Sequence, residues 1–427
     1  MTLAGGYDPS VLRVYWRDTA HNRYPVSVWT SLQVTGDKYL TGSATLTAPW
    51  SAAWVVAYFA AASTPGDPLG LGLEVYYRSS TAPLFFGAPI KTTFRWSRER
   101  NQGEVTILFE HIFQHVWRRS LAQSSGNTGF KSSTASQKAD ILGQRLMNDG
   151  LGLTYTNGGM EAGAPPYSGL GVDRGGAQQF SPWTIAVPAI HGAALSATDI
   201  KLDIQDGANR LDLLLDMAER GGIAYTMAES PAGTWTFDTT GAYLRTNLAG
   251  SVVLSERRGN ILDYTYDRDY TQAANTWVLR GDAAAGSQIK KWYQDGTAGV
   301  NGIWEDGATI PYQPNTAALD EWNALMAALF ATARVAVDVS ILEAAGTLAR
   351  FNQDFGIRDT IGLQLATFGV SAEASVVGYA LDLPPTGESK VRLVLVAPPH
   401  RLGQIARMAQ VLPGGRHGGG IFSQRDG

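Results

Sequence analysis

The clearest periodicity lies near the end of the chain, over residues 351–396. Ile361, Leu363 and Leu365 alternate with polar or small residues in one run. Val377, Tyr379, Leu381 and Leu383 do so in a second, with Val376, Gly378, Ala380 and Asp382 on the other face. Val391, Leu393 and Leu395 do so in a third, opposed by Lys390, Arg392 and Val394. A period of two predicts three strands. Pro384, Pro385 and Gly387 break the chain between the second and third. A similar series occupies residues 70–109: GLGLEVYYR, LFFGAPIKTTFRW and GEVTILF. Gly72 aligns with Gly362, Phe86-Gly87 with Val377-Gly378, and Gly103-Glu104 with Gly387-Glu388. If the likeness is a duplication, the chain carries two similar small barrels, one toward each end, with other material between them.

The rest of the pattern fills in that frame. Strand-like pieces start at Val11, Pro25 and Ser43 and complete the first set. Trp50, Trp54 and Tyr58 recur every four residues within a short apolar run, which predicts a buried helix over about 50–62. Ala139, Leu142 and Leu146 predict a helix ended by Gly150. Residues 206–221 predict the strongest helix, with Asp206 as cap, Leu211, Leu214, Leu215 and Ala218 as its apolar stripe, and Gly221-Gly222 as its stop. A hairpin over 223–237 turns at Ser230–Gly233, and strands follow at 251–255, 261–267 and 275–281. Residues 281–312 read as turn-rich. A second helix is predicted over about 316–334 and leads into a strand over 334–342. Gly and Pro crowd residues 151–183, which read as a long loop of functional or interfacial kind. The Gly-rich end reads as an extended tail.

The expected fold class is therefore mainly β (α+β), with two similar small β-barrel domains at the chain ends and inserted α+β domains between them. The expected divisions are 1–115 for the first barrel, 116–200 for a Ser/Gly-rich insertion with a helix and a long loop, and 201–335 for an α+β domain. The second barrel takes 336–400 and the tail 401–427.

Composition narrows the function. Of 427 residues, 17% are charged and 10% aromatic, and 48 are Gly, a mix suited to turn-rich β structure and broad contact surfaces. The net charge of −4 gives no electrostatic footprint for gripping nucleic acid. With no Cys, disulfides and thiolate metal sites are excluded. The first ten residues have no basic start or apolar core, so no signal peptide is expected. No apolar run is long enough for a helical membrane span.

The order of pieces resembles the tail-hub (baseplate-hub) family of long-tailed bacteriophages. Four stretches carry the likeness: the strands ending in SATLTAP, GLGLEVYYR and LFFGAPI; the helix and hairpin ANRLDLLLDMAERGGIAYTM…GTWTFD; SVVLSERRGNILDYTYDRDYTQAANTWVLRGD; and FNQDFGIRDTIGLQL…ASVVGYALDL…KVRLVLV. The resemblance implies a homotrimeric ring at the tail tip in the virion, assembled in the host cytoplasm. Each chain would give two related barrels, so that three chains match a sixfold tail tube. It implies partners among the tube, tape-measure, tip and fibre proteins, and a channel through which DNA passes without sequence-specific binding. Some members carry a lytic or fibre extension; this chain ends about 30 residues after its second strand series, which puts such an activity in doubt here.

Candidate chemistry is sparse. His111 and His115 are spaced i, i+4 and, on a helix, can share a metal, but Glu110 precedes the first His, which is not the zinc-protease order. A pair of solvated or packed histidines beyond the first barrel is the simpler reading. Asp263, Asp267 and Asp269 share one strand face, as a Ca²⁺ or acid–base site or as a solvated face. Asp354-Phe-Gly356 copies a kinase motif without the catalytic loop that accompanies it. Arg280-Gly281-Asp282 spells an adhesion tripeptide and reads as a strand-end turn. No catalytic, cofactor-binding or metal residue is assigned, no cofactor is expected, and the chain is read as a structural protein and not an enzyme. The alternative is a receptor- or glycan-binding tail component, or a cell-wall-degrading enzyme, with some of the twelve Trp as sugar platforms.

Overall fold

The computed structural model describes residues 11–61, 71–78, 81–97, 102–118, 121–122, 137–150, 178–180, 183–186, 194–195, 199–200, 208–230, 232–240, 245–269, 275–282, 288–294, 305–310, 320, 334–343, 349–385 and 389–397. The protein is mostly β and forms two units. One holds residues up to Tyr264 and again Asp338–Pro399; the other holds Thr265–Val337 and the residues from His400.

The first unit opens with β1 (Leu12–Arg17), β2 (Arg23–Pro25), β3 (Ser31–Asp37), β4 (Gly42–Pro49) and helix α1 (Ala53–Ala60). Next come β5 (Gly72–Tyr77), β6 (Phe85–Ser97), β7 (Gln102–His111) and α2 (Ile112–Arg118). The insertion that follows contains β8 (Leu121–Ala122), β9 (Gln137–Lys138), α3 (Ala139–Gly150), β10 (Gln178–Phe180), β11 (Trp183–Ala186), β12 (Asp199–Ile200), β13 (Ala208–Asn209), α4 (Arg210–Gly221), β14 (Ala224–Glu229) and β15 (Thr234–Thr240). Then come β16 (Val253–Ser255) and β17 (Ile261–Asp269). The second unit contributes β18 (Thr276–Asp282), β19 (Gln288–Gln294) and β20 (Glu305–Ile310). The chain returns through β21 (Arg334–Ile341) to β22 (Thr360–Leu365), β23 (Val370–Leu383) and β24 (Lys390–Ala397). Among the described residues no helix is long and apolar enough to cross a membrane.

Most of these strands form one sheet, in the order β17-β21-β24-β23-β3-β4-β7-β6-β5-β1-β2, with β22 joined to β23 and β16 to β22. The order contains itself twice. The early strands run β3-β4-β7-β6-β5-β1; the late ones run β17-β21-β24-β23-β22-β16. One step differs: β1 is antiparallel to β5, whereas β16 is parallel to β22. Both middle strands, β6 and β23, carry a bulge facing the third strand, at Ile90 and Val377. Matching the bulges sets Gly72 against Thr360, Ala88 against Ser375 and Phe109 against Leu395. The sequence register, Gly72 with Gly362 and Gly87 with Gly378, is off by a few residues. Short amphipathic strands score equally well when slid by two, because a shift of two restores the same face.

The insertion packs helices α3 and α4 and a small sheet, β10-β11-β15-β14, together with α2, around Trp117, Leu142, Leu146, Leu214, Met217, Tyr225, Trp235 and Phe237. The cap of α4 is Asn209, whose side chain accepts from the backbone N–H of Leu211 and Asp212, and not Asp206, which lies outside the described residues. Gly222 ends the helix with φ of 61°, a left-handed conformation that favours glycine. Helix α1 is shorter than expected. Trp54 and Tyr58 are buried on it, while Trp50 precedes it and is partly exposed.

Further differences appear elsewhere. Residues 281–312 are not only turns: β19 and β20 flank β18, antiparallel and parallel respectively. Their sequences, QIKKWYQ and EDGATI, lack the alternation that marks a strand. Strand β10 ends the stretch that read as a long loop over 151–183; the remainder of that loop up to residue 177 lies outside the described residues. So do the helix expected over 316–334, apart from Asp320 and from Arg334, which opens β21, and the tail 401–427.

Candidate assembly surface

Two features organise this surface: a seam inside the first unit, where the early and late strand sets meet, and two strand edges without a strand partner among the described residues.

The seam is the antiparallel pairing of β3 with β23, from Leu32 opposite Leu383 to Asp37 opposite Gly378. Leu32, Val34, Tyr379, Leu381 and Leu383 are all buried there. Trp29 Nε1 donates to the Leu383 carbonyl at 3.0 Å. Gly36 leaves room for the Tyr379 ring; a Cβ there would stand about 2.6 Å from ring atoms. Tyr379 OH reaches the Leu84 carbonyl at 3.3 Å. Glu343 adds a polar clasp: it accepts from Tyr77 OH, from Arg78 Nε at 3.0 Å and from the Phe351 N–H at 2.6 Å. Burial and the Glu343 charge push the Tyr77 phenol well above its ordinary pKa, so it stays a donor.

The first open edge is on β6. Strand β5 pairs only with Phe85–Gly87, while β7 follows β6 to Ser97. Because Gly87 pairs with both Leu73 and His111, β5 and β7 lie on opposite sides of β6. Beyond Gly87, the β5 side of β6 has no strand partner among the described residues. This open half carries Phe94 (55% exposed) and Trp96 (65% exposed) on one face, with Lys91 and Arg95 exposed on the other. Phe94 stands 5.1 Å from Trp50 and 5.4 Å from Phe59, ring centre to ring centre.

The second open edge is β17, the end of the sheet order. Leu262 (56% exposed), Tyr264 and Tyr266 share one face. Tyr264 packs edge-on against exposed Phe368 and donates to Glu256. The opposite face shows Asp263, Thr265 and Asp267, all exposed.

A buried charge cluster ties the β1–β5 strands to the insertion. Arg17 is fully buried, paired with Glu74 and Glu229, and lies over the rings of Phe86 and Trp235, 5.3 and 5.9 Å from their centres. Arg23 pairs with Glu74 at 2.8 Å. Burial works against the Arg17 charge, but Glu229 and Glu74 outweigh it and hold its pKa above the ordinary value. Burial also opposes the Glu229 charge, but its bonds from Arg17 and the Gly233 N–H hold its pKa below the ordinary carboxylate value. Both charges are thus locked on. The cluster was not legible in sequence, since its members lie on strands far apart in the chain.

The other sequence candidates separate. His111 ends β7 and His115 lies on α2, so they do not share a helix face; both are buried. Burial pushes His111 down to about 3, leaving a neutral ring that accepts from the Phe113 N–H. His115 Nδ1 is 3.5 Å from Glu110, which also pairs with Arg118 at 2.8 Å. No group of three metal-ligating residues occurs among the described residues. Asp263 accepts from Ser340 Oγ at 2.7 Å, and with Asp267 forms a solvated strand face; the Asp269 side chain lies outside the description. Asp354 closes a local turn by pairing with Arg350 at 2.9 Å. Arg280-Gly281-Asp282 is not a strand-end turn but part of the β18 ladder with β19. Trp16, Trp29, Trp54, Trp117, Trp183 and Trp235 are buried, whereas Trp50, Trp96 and Trp292 are exposed.

No family model and no curated protein matches the chain. Solved structures do. A tail protein from Neisseria meningitidis MC58 is 14% identical with a TM-score of 0.55, covering 92% of this chain and 99% of its own. The chain has the fold of phage tail proteins. The prophage MuSo2 43 kDa tail protein from Shewanella oneidensis is 12% identical, with a TM-score of 0.53 over 91% of this chain and 99% of its own. Prophage tail protein gp18 from Listeria monocytogenes EGD-e is 10% identical, with a TM-score of 0.51 over 93% and 99%. The resemblance seen in the sequence to phage tail-hub proteins is met at the level of fold.

Proposed function

We propose that this protein is a structural subunit of a phage tail-tip hub, located in the virion tail. Its two strand sets serve as two related barrels, and three chains close a ring of pseudo-sixfold symmetry. The ring joins the tail tube to tip or baseplate proteins and surrounds the DNA channel. The observation that carries this reading is the repeated strand order, with the two sets joined edge to edge by β3 and β23. A chain that already holds two copies of a module, side by side in one sheet, is half-way to a ring of such modules. The tail-protein fold over nearly the whole chain supports the setting. The net charge of −4 suits a conduit through which DNA slides, since tight phosphate binding needs clustered Lys and Arg.

Native mass spectrometry and negative-stain imaging of the purified protein test this reading. A threefold mass with ring-shaped particles is expected. A chain that stays monomeric at several hundred micromolar would overturn it, and binding of cell-wall glycans by that monomer would favour the receptor- or glycan-binding reading, for which exposed Trp50 and Trp96 are the observation to follow.

A further inference from the structure

The repeat makes the two halves comparable residue by residue. With the bulges matched, Thr92, Phe94 and Trp96 of β6 fall on Tyr379, Leu381 and Leu383 of β23. On β23 these positions are core: Tyr379 is buried, and Leu381 and Leu383 are 1% and 0% exposed. On β6 the counterparts Phe94 and Trp96 are more than half exposed. The cause is local. The side of β23 next to β22 continues into β3, because Ser375 pairs with both Thr360 and Val396, which places β22 opposite β24. The same side of β6, next to β5, has no continuation among the described residues. By strand order the counterpart of β3 is β17, the other open edge.

We infer that β17 of one chain adds to the open half of β6 on a second copy of the same chain, reproducing between molecules the β3–β23 seam found within one. The inference rests on the ring reading above and names the surfaces that would close it. Three observations converge on a second copy as the occupant. The edge it fills is the counterpart, by strand order, of the edge that β3 fills inside the chain. Apolar faces match, with Leu262, Tyr264 and Tyr266 on one strand and Phe94 and Trp96 on the other. With the apolar sides facing the same way, the opposite sides bring Asp263 and Asp267 to Lys91 and Arg95. An added strand also satisfies the unpaired backbone groups of both edges. The contact is head-to-tail, so it propagates around a ring and does not stop at a dimer.

The test is a charge exchange. Lys91→Glu with Arg95→Glu, and separately Asp263→Lys with Asp267→Lys, should each weaken self-association by about tenfold or more. All four substitutions together should restore it. Sedimentation velocity over a concentration series reads the assembly, and thermal melts confirm that the variants, all at exposed positions, remain folded. A full-size assembly in either double variant, or failure of the fourfold variant to recover, would overturn the assignment of these edges and leave the ring reading standing. A wild-type chain that sediments as a monomer at several hundred micromolar would overturn both.

Discussion

At the scale of single residues, two buried titratable groups show chemistry put to work in packing. Arg17 is the clearest case. Its guanidinium neutralises Glu74 inside the protein and is clamped between strands and insertion. Replacing Arg17 with Met keeps the volume but leaves Glu74 buried without one of its two cations, and should cost roughly 3–5 kcal/mol in urea unfolding. Loss of both Glu74 and Arg17 should be milder than loss of Arg17 alone. His111 makes a second case. Its folded pKa of about 3 is below the unfolded value, so the unfolded chain takes up the proton first as pH falls. Its contribution to stability is therefore full above about pH 6.5 and declines from there toward pH 3, by up to about 1.4 kcal/mol per pH unit. In His111→Asn the slope of unfolding free energy against pH over that window should be shallower than in the wild type. Neither role was visible in the sequence. A histidine at i, i+4 from another invites a metal reading until the chain is seen to pass from strand to helix between them.

At the scale of elements, what was legible depended on how a pattern repeats. Helix α4 and hairpin β14–β15 were legible because their apolar stripe, stop glycines and turn are all local signals. The cap was misplaced by three residues, since Asp206 and Asn209 are both good caps and only the geometry chooses. Asn209→Ala should lower the melting temperature by a few degrees, equivalent to about 1 kcal/mol. The two meanders were legible as strands and as a repeat. Their relative register was not, because it is written in the bulges at Ile90 and Val377 and not in the alternation. Strands β19 and β20 were missed for the opposite reason, having little alternation to read. The open edges are invisible in sequence: Phe94 and Trp96 look like any core pair, and only the strand order shows that no described strand lies beside them.

At the scale of the whole molecule, the proposed function rests on a repeated order of strands. Two consequences can be measured. The charged part of the proposed contact is exposed before assembly, so 1 M salt, where the screening length falls to about 3 Å, should weaken self-association without abolishing it. The aromatic part should persist, and Trp96→Ala should weaken assembly at every salt concentration while leaving the thermal melt of the chain unchanged.

The seam also sets a timetable for synthesis. Strand β3 is made early, yet the strand it pairs with emerges about 350 residues later. At roughly 5–20 residues per second, β3 waits some tens of seconds on the ribosome with one side paired to β4 and the other open. Such non-local pairing is also slow to form once both strands exist. For that interval the nascent chain presents the kind of edge that invites the wrong neighbour, including the same strand on an adjacent ribosome of the polysome. Yield of this protein should therefore depend less on its final stability than on how well the β3 edge is shielded until the last strands arrive, and co-expression of ample chaperone should return more of it in soluble form.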